Sequence, residues 1–81
     1  MLIKQILEDL RLNHFAITDH AFLRMSQRGV VRRDIQSVGT YCANWELQTN
    51  GRFKITGIDT EGDELTLICI YDRGTLVVTL F

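Results

Sequence analysis

Apolar residues recur along the first forty positions at helical spacing. Leu2, Ile3, Ile6, Leu7 and Leu10 fall on one face, with Lys4, Gln5, Glu8 and Asp9 between them, which predicts an amphipathic helix over about 2–12. Asn13 and His14 break it, and Phe15 and Ile17 are expected to tuck back beneath it. A second helix is predicted over about 19–28, with Thr18 or Asp19 as N-cap and Gly29 at the left-handed position that stops it. Ile35, Val38 and Cys42 stand at i, i+3 and i+7 and predict a third helix over about 32–41.

From Trp45 onward the period changes to two. WELQT and RFKIT alternate around Asn50–Gly51, a hairpin signal. A two-residue loop would set Leu47 against Lys54. A three-residue loop over Thr49–Gly51 instead pairs Leu47 with Phe53 and Trp45 with Ile55 and keeps one face apolar, so it is the register expected, with Gly51 left-handed. DTEGD is an acidic turn, and ELTLICIY and TLVVTLF flank the turn DRG. Strands are therefore predicted over about 45–49, 52–58, 64–71 and 75–81. The last two are almost continuously apolar, which calls for cover on most of both faces or for a partner along an edge. The expectation is a single α+β domain over 1–81: three N-terminal helices packed on one side of a four-stranded antiparallel sheet.

Composition narrows the function classes. A hydrophobic fraction of 46% with 23% charged residues belongs to a folded domain, and 81 residues allow only one core. The N-terminal segment lacks the uninterrupted apolar run of a signal peptide, and no stretch is long enough for a membrane span. Cys42 and Cys69 read as reduced thiols, which points to the cytoplasm. Two cysteines and two histidines show no metal-ligand spacing, and there is no phosphate loop, dinucleotide fingerprint or serine elbow, so neither a metal nor a cofactor is expected.

The net charge of −1 hides an asymmetry: residues 1–36 carry six basic and four acidic groups, residues 37–81 three basic and six acidic. Four of the nine basic groups, and no acid, sit in HAFLRMSQRGVVRR, residues 20–33. On a helical wheel His20, Arg24 and Arg28 form a stripe beside a buried arc of Ala21, Met25 and Phe22. Guanidinium groups grip phosphate oxygens through paired hydrogen bonds, and a histidine beside two cations is expected to stay neutral and able to accept a proton. Two readings of the stripe stand: an anion-handling site, or the wet side of a helix whose arginines pair with the acids of the strand half. Arg32 and Arg33 read as solvated surface. Arg52, Lys54, Tyr71 and Arg73, near strand turns, are candidate assisting or RNA-binding residues.

The run T-D-H-A-x-x-R-M-x-x-R-G-V followed by D-I, then F-K-I-T-G-x-D-x-x-G-x-E-L and a closing V-V-T-L-F, resembles a family of small bacterial domains of unknown function. That family looks related to BrnT and the RelE/ParE-type toxins, whose fold places helices before a sheet. The resemblance covers roughly residues 15–81 and carries over His20, Ala21, Arg24, Met25, Arg28 and Gly29. It implies a RelE/BrnT-like fold, and a toxin-like, metal-independent RNA-binding protein or ribonuclease in which His20, Arg24 and Arg28 form the catalytic stripe. The alternative is a non-catalytic interaction module with the same fold. Expected partners are RNA, a small antitoxin-like or other protein, or a second copy bound through a sheet edge; no membrane partner is expected. The chain departs from the motif at Val31, where a Ser or Thr would cap the next helix and where Asp34 therefore lacks a capping-box partner.

Overall fold

The computed structural model describes residues 2–81. Helix α1 spans Leu2–Arg11, a short strand β1 Phe15–Ile17, α2 Asp19–Arg28 and α3 Arg32–Thr40. Strands β2 Cys42–Leu47, β3 Phe53–Ile58, β4 Glu64–Tyr71 and β5 Thr75–Leu80 follow. The protein is α+β, with three helices and a five-stranded mixed sheet in the order β1-β5-β4-β3-β2.

The expected four-stranded antiparallel sheet is thus corrected by one strand. Phe15, Ala16 and Ile17 do return beneath the helical layer, but as β1, parallel to β5 with Phe15 opposite Thr75. Three residues are too few to display a period of two, and a parallel partner lies far away in sequence. The consequence for β5 is direct. It runs between β1 and β4, so the apolar last strand has an interior position, and the open edges are β1 and β2.

Two boundaries also move. α3 ends at Thr40, and Cys42 opens β2 instead of closing the helix. The hairpin register is the expected one: Trp45 pairs with Ile55 and Leu47 with Phe53. Gln48 N–H donates to Arg52 C=O at 2.8 Å, Gly51 N–H to Gln48 C=O at 3.0 Å, and Gly51 has φ 79°. One face of the hairpin is apolar as reasoned, yet only its β3 half is buried, because β2 is an edge strand.

The core lies between the helices and one sheet face. Ile3, Ile6 and Leu10 of α1, Ile35 and Val38 of α3, and Ala21 and Met25 of α2 close over Ile55, Leu67, Cys69, Val77 and Leu80. Gly39 lets α1 and α3 approach closely: a Cβ there would lie 2.7 Å from Arg11 N and 2.9 Å from Leu7 O. Burial pushes the Cys69 thiol up to about 12, which keeps it protonated and unreactive. Both cysteines are free thiols.

The start of α3 replaces the missing hydroxyl cap with another device. Val31 offers no side-chain acceptor, but Asp34 takes the Val31 N–H at 3.0 Å, which completes half of the reciprocal cap. Its other oxygen accepts from Thr60 N–H at 3.0 Å and from the Thr60 hydroxyl, tying α3 to the β3–β4 turn. Burial by itself would raise the Asp34 carboxyl; the hydrogen bonds from the Thr60 hydroxyl and from Val31 and Thr60 N–H outweigh it and hold the group below its usual value.

Candidate functional site

α2 is built to hold its polar stripe at a fixed place. The Thr18 hydroxyl accepts from Ala21 N–H at 3.0 Å and donates to Val78 C=O at 2.6 Å, so one side chain caps the helix and ties it to β5. Ala21 and Met25 are the buried residues of the helix. Gly29, at φ 68°, ends it and donates its N–H back to Met25 C=O. Phe22 does not join the buried arc. It is 67% exposed, because the inward-facing side of α2 is only one residue wide where the helix overhangs β5.

His20, Arg24 and Arg28 share the rim next to that buried row, and the helix rises about 12 Å from the first to the third. Arg24 is half-buried, and its Nε donates to Leu80 C=O at 3.2 Å, which lays its methylenes along the end of β5. His20 and Arg28 are exposed, and neither side chain has a hydrogen-bond partner among the described residues. The pairing of the stripe with acids of the strand half, one of its two readings from sequence, does not occur among the described residues. The ion pair found among the described residues is Arg11 with Glu8, within α1. The clefts beside β1 and around α1 and α3 are lined by other residues, and His20 and Arg28 stand on an exposed helix face.

The sheet candidates lie elsewhere. Lys54 is on the sheet face turned away from the helices, level with Ile68, and its cross-strand neighbour is Glu46. Arg52 follows the β2–β3 loop. Tyr71 and Arg73 stand at the β4–β5 turn, at the opposite end of β5 from Leu80 and therefore from Arg24. Five residues of strand, about 16 Å, separate Thr75 from Leu80. The fold brings His20, Arg24 and Arg28 together and leaves Arg52, Lys54, Tyr71 and Arg73 apart from them.

Arg32, read from sequence as solvated, has a structural role. Its guanidinium lies 4.0 Å from the Phe15 ring centroid and donates to Asn13 Oδ1 at 2.8 Å and to Phe15 C=O at 2.9 Å. It clamps the entrance of β1 onto α3. A cleft of about 360 Å³ opens beside that entrance, between β1 and the β4–β5 turn, lined by His14, Asp72, Arg73 and Thr75 among others. From sequence His14 reads as a loop or helix-end residue, and it does lie in the loop between α1 and β1. What the sequence does not disclose is that this loop faces the β4–β5 turn, because β1 is too short to show a period and its partner β5 lies far along the chain.

No protein-family model matches the chain, and no curated protein or solved structure matches it. No helix among the described residues is long and apolar enough to cross a membrane, and no cluster of three or more potential metal-ligating side chains occurs among them.

Proposed function

We propose that this chain is a toxin-like, metal-independent RNA-binding protein that holds consecutive phosphates of an RNA strand along the His20–Arg24–Arg28 rim. The observation that carries the reading is the unpaired state of that rim. Three groups able to donate to phosphate stand at four-residue spacing beside an anchored helix, without an acid paired to any of them among the described residues. An exposed row along a helix suits an extended polyanion, whereas a small metabolite is held in a concave pocket. Arg24, already fixed by Leu80 C=O through Nε, retains its terminal nitrogens for a ligand.

In the ribonuclease form of this reading, His20 takes the proton of a ribose 2′-hydroxyl. The 2′-oxygen then bonds to phosphorus, the bond to the 5′-oxygen breaks, and that oxygen leaves with a proton from water. Arg24 and Arg28 stabilise the charge gathered on the phosphate oxygens. Binding is the stronger form, because no second proton-transfer side chain accompanies His20 on the rim.

A different observation favours the second reading, a protein-interaction module. β2 is an open edge strand, with Leu47 61% and Trp45 40% exposed and no proline or lysine to blunt it. The test is fluorescence-anisotropy binding of a labelled single-stranded RNA to wild type, His20→Ala and Arg28→Glu, with RNA integrity followed on gels. The RNA reading requires binding that weakens in both variants. Absence of RNA binding by wild type, together with an oligomer or a captured strand lost on Trp45→Lys, is the result of the second reading.

A further inference from the structure

We propose that the cleft between β1 and the β4–β5 turn is a binding site for a phosphate monoester, held by His14 from one wall and Arg73 from the other. It uses no residue of the α2 rim and does not depend on the RNA reading. Its geometry follows from the parallel register. Phe15 opposite Thr75 sets His14 level with Gly74, one strand spacing of about 5 Å away, so the residue before β1 and the apex of the turn face each other.

Uncommon backbone conformations set both sides of the cleft. The two non-glycine residues with positive φ among the described residues are Arg73, at 58°, in the turn wall, and Asn13, at 64°, immediately before His14 of the other wall. Asparagine tolerates the left-handed region; arginine does so at a cost, and such residues persist where the surroundings fix them and cluster at binding sites. Asp72 N–H donates to Gly74 C=O at 2.9 Å across Arg73, and the other wall is fixed by side chains as well. Arg32 clamps Asn13 and Phe15, and Asp9 C=O takes the His14 N–H at 2.8 Å. Beneath the cleft the Thr75 hydroxyl donates to the buried Asp9 carboxylate at 2.8 Å, so the floor is rigid as well.

The His14 imidazole and the Arg73 guanidinium have no hydrogen-bond or ion-pair partner among the described residues. Arg32 adds a second permanent positive charge behind the His14 wall, against Asp72 at the rim and the Asp9 carboxylate under the floor, whose two oxygens accept from Gln5 and Thr75. Donors arriving from two walls match the tetrahedral oxygens of phosphate better than the planar pair of a carboxylate. The cleft, at about 360 Å³, is larger than one phosphate requires and has room for a sugar, whose hydroxyl Asp72 can accept.

The experiment is an NMR amide titration of the full chain with inorganic phosphate, with adenosine 5′-monophosphate and with adenosine, at constant ionic strength. Saturable shifts centred on residues 13–16 and 72–76 are expected with both phosphates and not with adenosine. Equal affinity for the two phosphates assigns free phosphate as ligand; tighter binding of the nucleotide assigns a nucleotide or RNA end. The decisive variant is Arg73→Asn, which suits positive φ and removes the cation. It should leave the thermal midpoint unchanged or higher while weakening phosphate at least about tenfold, and His14→Ala should weaken it too. Shifts no larger than those of sodium chloride, or full affinity in Arg73→Asn, overturn the proposal. Arg28→Glu, which is tested separately on RNA, should leave this titration intact.

Discussion

The two cationic regions of this protein are built in opposite ways. The α2 rim is regular and open: an ordinary helix, capped at both ends, presents His20, Arg24 and Arg28 at its natural spacing. The β1 cleft is irregular and concave, assembled from a residue before a three-residue strand and the apex of a turn, with an arginine from α3 bracing the strand from behind. Removing a charge from the rim should therefore alter binding and leave the fold alone. In the cleft, structure and charge are mixed in the same residues, and stability and binding should separate only where a substitution suits the backbone, as at Arg73.

The largest effect is expected where the two regions meet. Thr18 follows β1, caps α2 and bonds to Val78 C=O, so Thr18→Ala loses a cap and a strand tie and should cost about 2 kcal/mol in urea unfolding. Arg32→Ala comes next. It removes three hydrogen bonds, one of them long, and a cation–π contact from behind the cleft wall and should cost about 1 to 1.5 kcal/mol, with faster amide exchange at Phe15–Ile17.

Asp34 supplies a pH-dependent contrast, since it stabilises the entry to the helix that carries Arg32. Its folded-state value lies below the ordinary 3.8, so its contribution is present above that value and is lost as pH falls through the lower folded one. The gap in thermal midpoint between wild type and Asp34→Asn should accordingly be constant near neutrality and narrow below about pH 4. A gap that persists unchanged into acid would mean that the carboxylate contributes through packing alone. The smallest effects belong to the rim: His20→Ala and Arg28→Ala should each shift stability by less than about 0.5 kcal/mol, and a larger loss would recast the stripe as part of the scaffold.

The same contrast explains what the sequence disclosed. Features local to one element were readable from it: the stop at Gly29, the cap at Thr18 and the three-residue hairpin loop all depend on residues a few positions apart. The rim was legible for the same reason, as four-residue spacing on one helix. β1 was not, because its meaning depends on β5, sixty positions later. Phe22 was misplaced because a helical wheel gives angle and not overhang: α2 covers little more than β5, so an apolar residue at the far side of the arc meets solvent. Arg32 looked like surface charge because its partners, Asn13 and Phe15, lie across a helix and a turn. Gly39 passed unremarked, since the reason for its missing side chain is the backbone of α1.

The central claim is that the rim binds RNA through its phosphates, and the salt dependence of RNA affinity tests it most directly. Each phosphate contact to a single strand contributes about −0.7 to the slope of log affinity against log salt. Wild type should therefore show a clearly negative slope, and Arg28→Gln a slope shallower by about 0.7 with folding unchanged. A wild-type slope near zero, or an identical slope in Arg28→Gln, would contradict the claim and place RNA recognition, if any, away from α2.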